Sequence, residues 1–403
     1  MSVNALIRPT FADLRAEIER RAAQETPAEE INTLVDQFLA TGGEAPCPWV
    51  EYDGTVTWLY RDASAENVSV VGDVIGYEPI TTRMVRLPGS DLFALTAQMP
   101  LDARIEYAFV VDPGEPGTPG GWLAHYRTDP LNNRQIVEAA PLRSLSILEM
   151  PNARPVPELD DAEGDDIAGL AYQVVSSADH TIWARVWVAL PQDYEAAERR
   201  YPTLYLNSGE SYLLSAGVPR MLNALLAQGE TTPAIVVFVQ RVDRGNASPD
   251  GRLDGRFVRF LADELAPWID ARYATSTDPQ ERVIGGAGVG ATLSLYAALE
   301  RPDAFGQVLA QSPFARSFVK AVPALLARNA ARGFRPPRCY IDVGRYEAPA
   351  RIESVQALCA ALLARGAAVS YQDFGGDHSF VGWRTTLPDA LRFHFGAPPL
   401  HSL

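Results

Sequence analysis

The sequence predicts two folded parts in series: an all-β sandwich, then an α/β domain whose mostly parallel sheet is covered by helices on both faces. Three observations predict it. The chain has 403 residues, more than one typical core accommodates. From Pro48 to about Val137, apolar residues recur with a period of two in short runs, punctuated by Asp53-Gly54, Pro88-Gly89 and Pro113-Gly114. After a proline-rich, acidic stretch, strand-length apolar runs alternate with helical patterns to the end, which gives a parallel sheet with both faces buried.

The predicted boundaries are a helical segment at 1–45, the sandwich at 46–150, a linker at 151–168 and the α/β domain at 169–403. In the first segment, Phe11, Leu14 and Ile18 form one stripe of a helix over 10–24 that Thr10 could cap. A second helix runs from Pro27 to Leu39, with Ile31, Leu34, Val35 and Phe38 inward and Gly42-Gly43 closing it. Sandwich strands are expected at 55–60, 68–71, 83–87, 93–97 and 105–111. Trp58, Tyr60, Tyr77 and Trp122 could form an aromatic platform, but sandwich core is the preferred reading. The linker carries Asp160, Asp161, Glu163, Asp165 and Asp166 with the spacing of no calcium loop, so solvated charge is expected there. In the α/β domain, strands are expected at 181–188, 203–206, 234–239, 282–284, 308–310, 339–343 and 368–373. Helices are expected near 213–228, 253–273, 291–300, 348–364 and 380–395.

Composition excludes some classes. Lys and Arg number 35 against 50 Asp and Glu, a balance of −15, and the basic residues are scattered. Such a chain repels phosphate backbones and anionic lipid, so nucleic acid and membranes are not expected partners. Cys47, Cys339 and Cys359 show no metal-ligand spacing and fit free thiols in a reducing compartment. The N-terminus lacks the long apolar run of a signal peptide, and no run is long enough to span a bilayer. A cytoplasmic protein is expected.

The chemistry centres on Glu281 to Glu300, where a short strand enters a glycine-dense turn and an apolar helix follows at once. This is the layout of the nucleophile elbow of α/β-hydrolases, Gly-x-Ser-x-Gly. Here the frame is Gly286, Ala287, Gly288, Val289, Gly290: both flanking glycines are present, and a glycine stands in the nucleophile's place. In that fold the order along the chain is nucleophile, acid, histidine. Of five histidines, only His378 follows the last predicted strand within a glycine-rich loop; His125, His180, His394 and His401 lie elsewhere. Glu347, in the loop after strand 339–343, is the preferred acid, because a loop carboxylate can reach and orient an imidazole. Asp342, within that strand, is the alternative acid, and Asp377 is poorly placed to bond its neighbour's ring. Oxyanion donors are expected from the backbone of Val289 and from Gly209 or Glu210 in the loop after strand 203–206, since main-chain N–H groups serve this role. A relocated hydroxyl could come from Ser208, Ser211, Ser312 or Ser379, although turn-forming or capping serines are the commoner case. A different class, dinucleotide binding through Gly286, Gly288 and Ala291, fits the spacing. It lacks an acidic residue after the next strand, and it leaves Glu347 and His378 without a role.

Two sets of segments carry a family resemblance. In the sandwich they are Val68 to Asp73, Arg86 to Phe93, Arg104 to Asp112 and Asp129 to Asn132. In the second domain they are Gly286 to Gly290, Arg301 to Gly306, Gln311-Ser312, Val343 to Glu347, and Gly375-Gly376 with His378, Trp383 and Arg384. Together, over residues 48–396, the chain resembles the enterochelin (enterobactin) esterases, α/β-hydrolases preceded by an immunoglobulin-like sandwich. The resemblance implies cytoplasmic hydrolysis of a cyclic catecholate siderophore by Ser, His and a carboxylate, with no cofactor and no catalytic metal. Carried over, His378 matches the base, Glu347 the acid, and Gly288 the serine. The histidine segment has Asp377 inserted where Gly-Gly-His would be expected. The implied partner is a small-molecule ester or ferric siderophore. Without the serine four readings stay open: a binding pseudoenzyme for an ester or siderophore, a deliberately inactivated variant, an esterase in which His378 activates water directly with Gly288 making room, and an esterase in which another hydroxyl has taken over.

Overall fold

A computed structural model describes residues 9–44, 46–113, 125–139, 142–160, 170, 172–192, 194–195, 199–242 and 254–396. Trp122, His401 and the linker acids Asp161, Glu163, Asp165 and Asp166 lie outside the described residues. The chain divides into two compact units, Met1–Arg154 and Pro155–Leu403.

The first unit opens with helices α1 (Phe11–Ala23) and α2 (Ala28–Ala40). Thr10 caps α1 by a capping box with Asp13. Phe11, Leu14, Ile18, Ile31, Val35 and Phe38 turn inward and share a core with Trp49, Leu59, Leu87 and Leu92. The strands are β1 (Trp49–Val50), β2 (Thr55–Arg61), β3 (Val68–Gly72), β4 (Val85–Arg86), β5 (Leu92–Gln98), β6 (Arg104–Val111), β7 (Tyr126–Arg127), β8 (Gln135–Ala139) and β9 (Leu142–Glu149). They form two antiparallel sheets, β1-β2-β5-β4 and β3-β6-β9-β8, with β7 paired to β6. The predicted strand at 83–87 shrinks to two exposed residues, while β8 and β9, not foreseen, pair along five positions. Trp58 is fully buried sandwich core, Tyr60 packs 4.9 Å from the Phe109 ring, and Tyr77 is 46% exposed with its hydroxyl on Asp73.

The second unit begins with a single helical turn, α3 (Pro157–Asp160), inside the predicted linker. Then come β10 (Gln173–Ser176), β11 (Trp183–Ala189), β12 (Thr203–Asn207), α4 (Gly209–Leu214), α5 (Val218–Ala227), β13 (Ile235–Arg241), α6 (Gly255–Arg259) and α7 (Ala266–Asp270). The remainder is β14 (Arg282–Ala287), α8 (Val289–Glu300), β15 (Gln307–Gln311), α9 (Val322–Ala331), β16 (Arg338–Gly344), α10 (Pro349–Leu363), β17 (Ala368–Phe374) and α11 (Phe380–Phe395). One eight-stranded sheet runs β10-β11-β13-β12-β14-β15-β16-β17. β12 to β17 are parallel, and β10 and β11 close one edge antiparallel.

The apolar run of β13 shows why both faces are covered. Ile235, Val237 and Val239 join one core with α6, α7, α8, α9 and α10, while Val236 and Phe238 join the other with α3, α4, α5 and α11. The helix expected at 213–228 is two helices, because Gly217 takes φ +62° between them and Pro219 suits the first turn of α5. The helix expected at 253–273 includes a π-helical stretch, Phe260–Leu265, between α6 and α7. The sheet is that of an α/β-hydrolase, and its C-terminal edge brings together the ends of β12, β14, β15, β16 and β17.

Candidate active site

The elbow is built by glycine packing. A Cβ on Gly286 would stand 2.6 Å from the carbonyl carbon of Gly290, so the chain can fold back this tightly only without side chains there. Between them Gly288 takes φ +56° and ψ −115°, the strained turn that lifts a side chain above the sheet. Its amide donates to the Gln311 carbonyl at 2.8 Å. Ser208 Oγ and Asn207 Cβ lie 3.5 and 3.4 Å from the place of a Cβ on Gly290, which sets the loop after β12 beside the elbow. Gly209 must be glycine, since its Cβ would fall 2.4 Å from the Val239 nitrogen. Val289 opens α8, and Gly209 and Glu210 open α4, positions where backbone N–H groups have no intrahelical acceptor. Glu210 itself pairs with Arg185 at 3.0 Å.

His378 and Glu347 meet. His378 Nδ1 lies 2.9 Å from Glu347 Oε2. Glu347 is 4% exposed, and its other oxygen accepts from the Ser312 hydroxyl at 2.5 Å and the Gly344 amide at 2.9 Å. Burial pushes this carboxyl up, but the bond and charge of His378, with Ser312 and Gly344, outweigh it and hold it below the usual carboxylate range. Asp342 is turned away. Its carboxylate accepts from Gln311 at 2.9 Å, Thr386 at 2.6 Å and the Ser312 amide at 3.2 Å, and burial pushes it up to about 7. Of the two candidate acids, Glu347 is the one bonded to the imidazole.

The imidazole reaches the elbow. A Cβ placed on Gly288 would lie 2.8 Å from His378 Nε2, 3.3 Å from Cε1 and 3.4 Å from Phe314 Cε2. The ring packs edge-on against Trp383 at 4.8 Å and Phe314 at 5.4 Å between centroids. Ser312 is fully buried at φ +49°. Its hydroxyl donates to Glu347 and accepts from Trp383 Nε1 at 2.8 Å, so it supports the acid. Ser379 directly precedes α11 and Ser208 opens α4 in the left-handed region; Ser211 is half-buried in α4. The other described histidines are remote in role: His125 touches the Val111 carbonyl in the sandwich, His180 stacks on Trp183, and His394 is buried, pushed down to about 3 by desolvation.

Sequence reasoning missed Arg351. Its Nε lies 3.0 Å from Glu347 Oε2, its Nη1 lies 3.1 and 3.5 Å from the two imidazole nitrogens, and its guanidinium stacks 4.0 Å over Phe314. The signal was present as a Glu–Arg pair four apart at the start of α10. Among the described residues, no group of His, Cys, Asp or Glu is placed to hold a metal ion, and no helix is long and apolar enough to cross a membrane.

A strained elbow, an adjoining backbone-donor loop and a carboxylate–imidazole pair on this sheet define a protein of the α/β-hydrolase esterase class. The chain belongs to the putative esterase family, whose model matches residues 183–394, and the enterochelin esterase N-terminal domain matches residues 55–159. It is similar to the iron(III) enterobactin esterase of Escherichia coli (strain K12), 26% identical over 327 residues, covering 76% of this chain and 80% of that one. Two solved structures share the fold. The enterobactin esterase of Shigella flexneri, determined in the presence of enterobactin, has a TM-score of 0.69 at 23% identity, covering 84% of this chain and 92% of that one. The ferric enterobactin esterase of Salmonella typhimurium has a TM-score of 0.70 at 23% identity, covering 85% and 94%. The membership supports the esterase reading over the dinucleotide one, and the turn at 286, 288 and 290 faces His378.

Proposed function

We propose that this protein binds a carboxylic ester of the siderophore class and that the acyl-enzyme route to cleaving it is closed. The observation that carries the proposal is Gly288. The elbow keeps its backbone, yet the residue at its apex has no oxygen or sulfur to attack a carbonyl, and an acyl-enzyme needs one. The substrate class rests on the likeness to enterobactin esterases across both the sandwich and the α/β domain.

What remains is the other half of the machinery. Glu347 accepts a hydrogen bond from Nδ1–H of His378 and so leaves the lone pair on Nε2, with the amides of Val289 and of Gly209 or Glu210 as the oxyanion donors. In that arrangement Nε2 removes a proton from water as the water oxygen adds to the ester carbon. The carbonyl electrons move onto oxygen, held by the backbone donors. Collapse expels the alkoxide, which recovers the proton from the imidazolium, giving acid and alcohol. Loss of the nucleophile from a serine triad costs on the order of a millionfold in kcat and leaves roughly a thousandfold over water. Binding therefore outlasts turnover. No cofactor enters the scheme; ferric iron is cargo of the ligand.

The test is to titrate the protein with a ferric catecholate trilactone while following tryptophan fluorescence, then to follow ester loss and protein mass. Saturable quenching, slow ester loss and no covalent adduct are expected. His378→Ala should keep the binding and abolish the turnover. An acyl adduct, or fast turnover indifferent to His378→Ala, overturns the closed route. Absence of saturable binding overturns the substrate class.

A further inference from the structure

We propose that Arg351 is a positioning residue that fixes the imidazole of His378 in the space of the missing side chain, so that the serine route is closed twice; this rests on the reading of Gly288 given above. The first observation is the overlap. Nε2 stands 2.8 Å from where a Cβ at 288 would be, closer than real Cβ atoms approach a neighbour, so a serine there requires the ring to move. The second is the wedge. Arg351 is held at both ends, by Glu347 Oε2 at 3.0 Å and by the face of Phe314 at 4.0 Å, and its Nη1 lies against both ring nitrogens. The ring is tied to the same carboxylate oxygen and flanked by Trp383. A ring that swings back must give up its bond to Glu347 or displace the guanidinium.

Charge acts in the same direction. When a serine attacks, the imidazole gains a proton, and the acid partner stabilises the cation. Here that partner's oxygen is shared with a guanidinium, and a second positive charge lies within 3.5 Å of the ring.

The experiment compares covalent labelling by a fluorophosphonate, in which the elbow hydroxyl attacks phosphorus, fluoride leaves and His378 takes the proton. Five folded proteins are used: the chain as it stands, Gly288→Ser, and Gly288→Ser combined with Arg351→Met, Arg351→Gln or Arg351→Lys. Met keeps the length and the stacking on Phe314, Gln keeps a neutral polar group, and Lys keeps the charge. Gly288→Ser alone should label slowly. Adding Met or Gln should raise the rate by about tenfold or more, within the range of coupling between touching residues, while Lys should leave it slow. With an activated aryl ester the gain should fall on kcat and not on KM. Equal or slower labelling in both neutral double variants overturns the inference, as does fast labelling by Gly288→Ser alone. Labelling or fast turnover by the unsubstituted chain speaks instead against the reading of Gly288, so the two failures are distinguishable.

Discussion

The elbow and the carboxylate–imidazole cluster face each other and are built in opposite ways. The elbow is backbone: glycines at 286, 288 and 290 close a turn by the absence of side chains. The cluster is side chain upon side chain, with Trp383 and Ser312 behind Glu347, Glu347 behind His378, and Arg351 wedged between them. The difference teaches that a turn can keep its reactive shape without a reactive group, because packing sets the shape. A buried carboxylate, by contrast, persists only while every partner is present.

The sharpest way to break the comparison is at Glu347. Glu347→Ala strands Arg351, the imidazole, a buried hydroxyl and the Gly344 amide, and should cost about 3–5 kcal/mol, as loss of one member of a buried ion pair does. Urea unfolding measures it, and a loss below about 1 kcal/mol would mean that the cluster is no more integrated than a surface pair.

Asp342, beneath the cluster, gives an intermediate effect with a definite sign. Its folded pKa of about 7 lies above the usual value, so the folded state binds more protons than the unfolded one between about pH 4 and pH 7. Its contribution is therefore full at low pH and is lost as pH rises to 7. Glu347, held below its ordinary range, acts in the opposite direction and is lost on acidification. Asp342→Asn should flatten the decline between pH 5 and pH 7. An unchanged slope there would show that Asp342 does not titrate.

The smallest effect is expected at the elbow. Gly288→Ala keeps the turn but places a Cβ at positive φ against His378, and should cost about 1–3 kcal/mol. Thermal unfolding checks this; a neutral result would mean that the imidazole moves away freely.

Much of this was legible in the sequence. Period-two runs gave the sandwich, and the apolar run of β13 announced a strand buried on both faces. The glycine spacing pointed to the elbow, chain order to His378, and a loop position to Glu347 over Asp342. The parts that were not legible depend on tertiary contact. Ser312 looked like a turn serine, because nothing local shows that Trp383, 71 residues on, fixes its hydroxyl against Glu347. Arg351 drew no notice, because its neighbours Phe314 and His378 come from other loops. β8 and β9, consecutive strands paired from Ala139–Leu142 to Gln135–Ser146, were missed because their apolar residues do not keep to one face: Val137 and Leu142 are exposed. The break at Gly217 was readable from the adjacent Pro219, yet the apolar stripe on both sides obscured it.

The strained apex has a consequence for the history of such a site. A glycine codon and a serine codon can differ by one base, so the two states of position 288 are neighbours in mutation. They are not neighbours in energy. Glycine accepts φ +56° without penalty, whereas serine does not, and with an imidazole in the space above the glycine a step to serine must also displace it. Loss of the hydroxyl at such a turn runs downhill and its recovery runs uphill, so the substitution behaves as a ratchet: easy to enter, and reversed only together with a second change nearby.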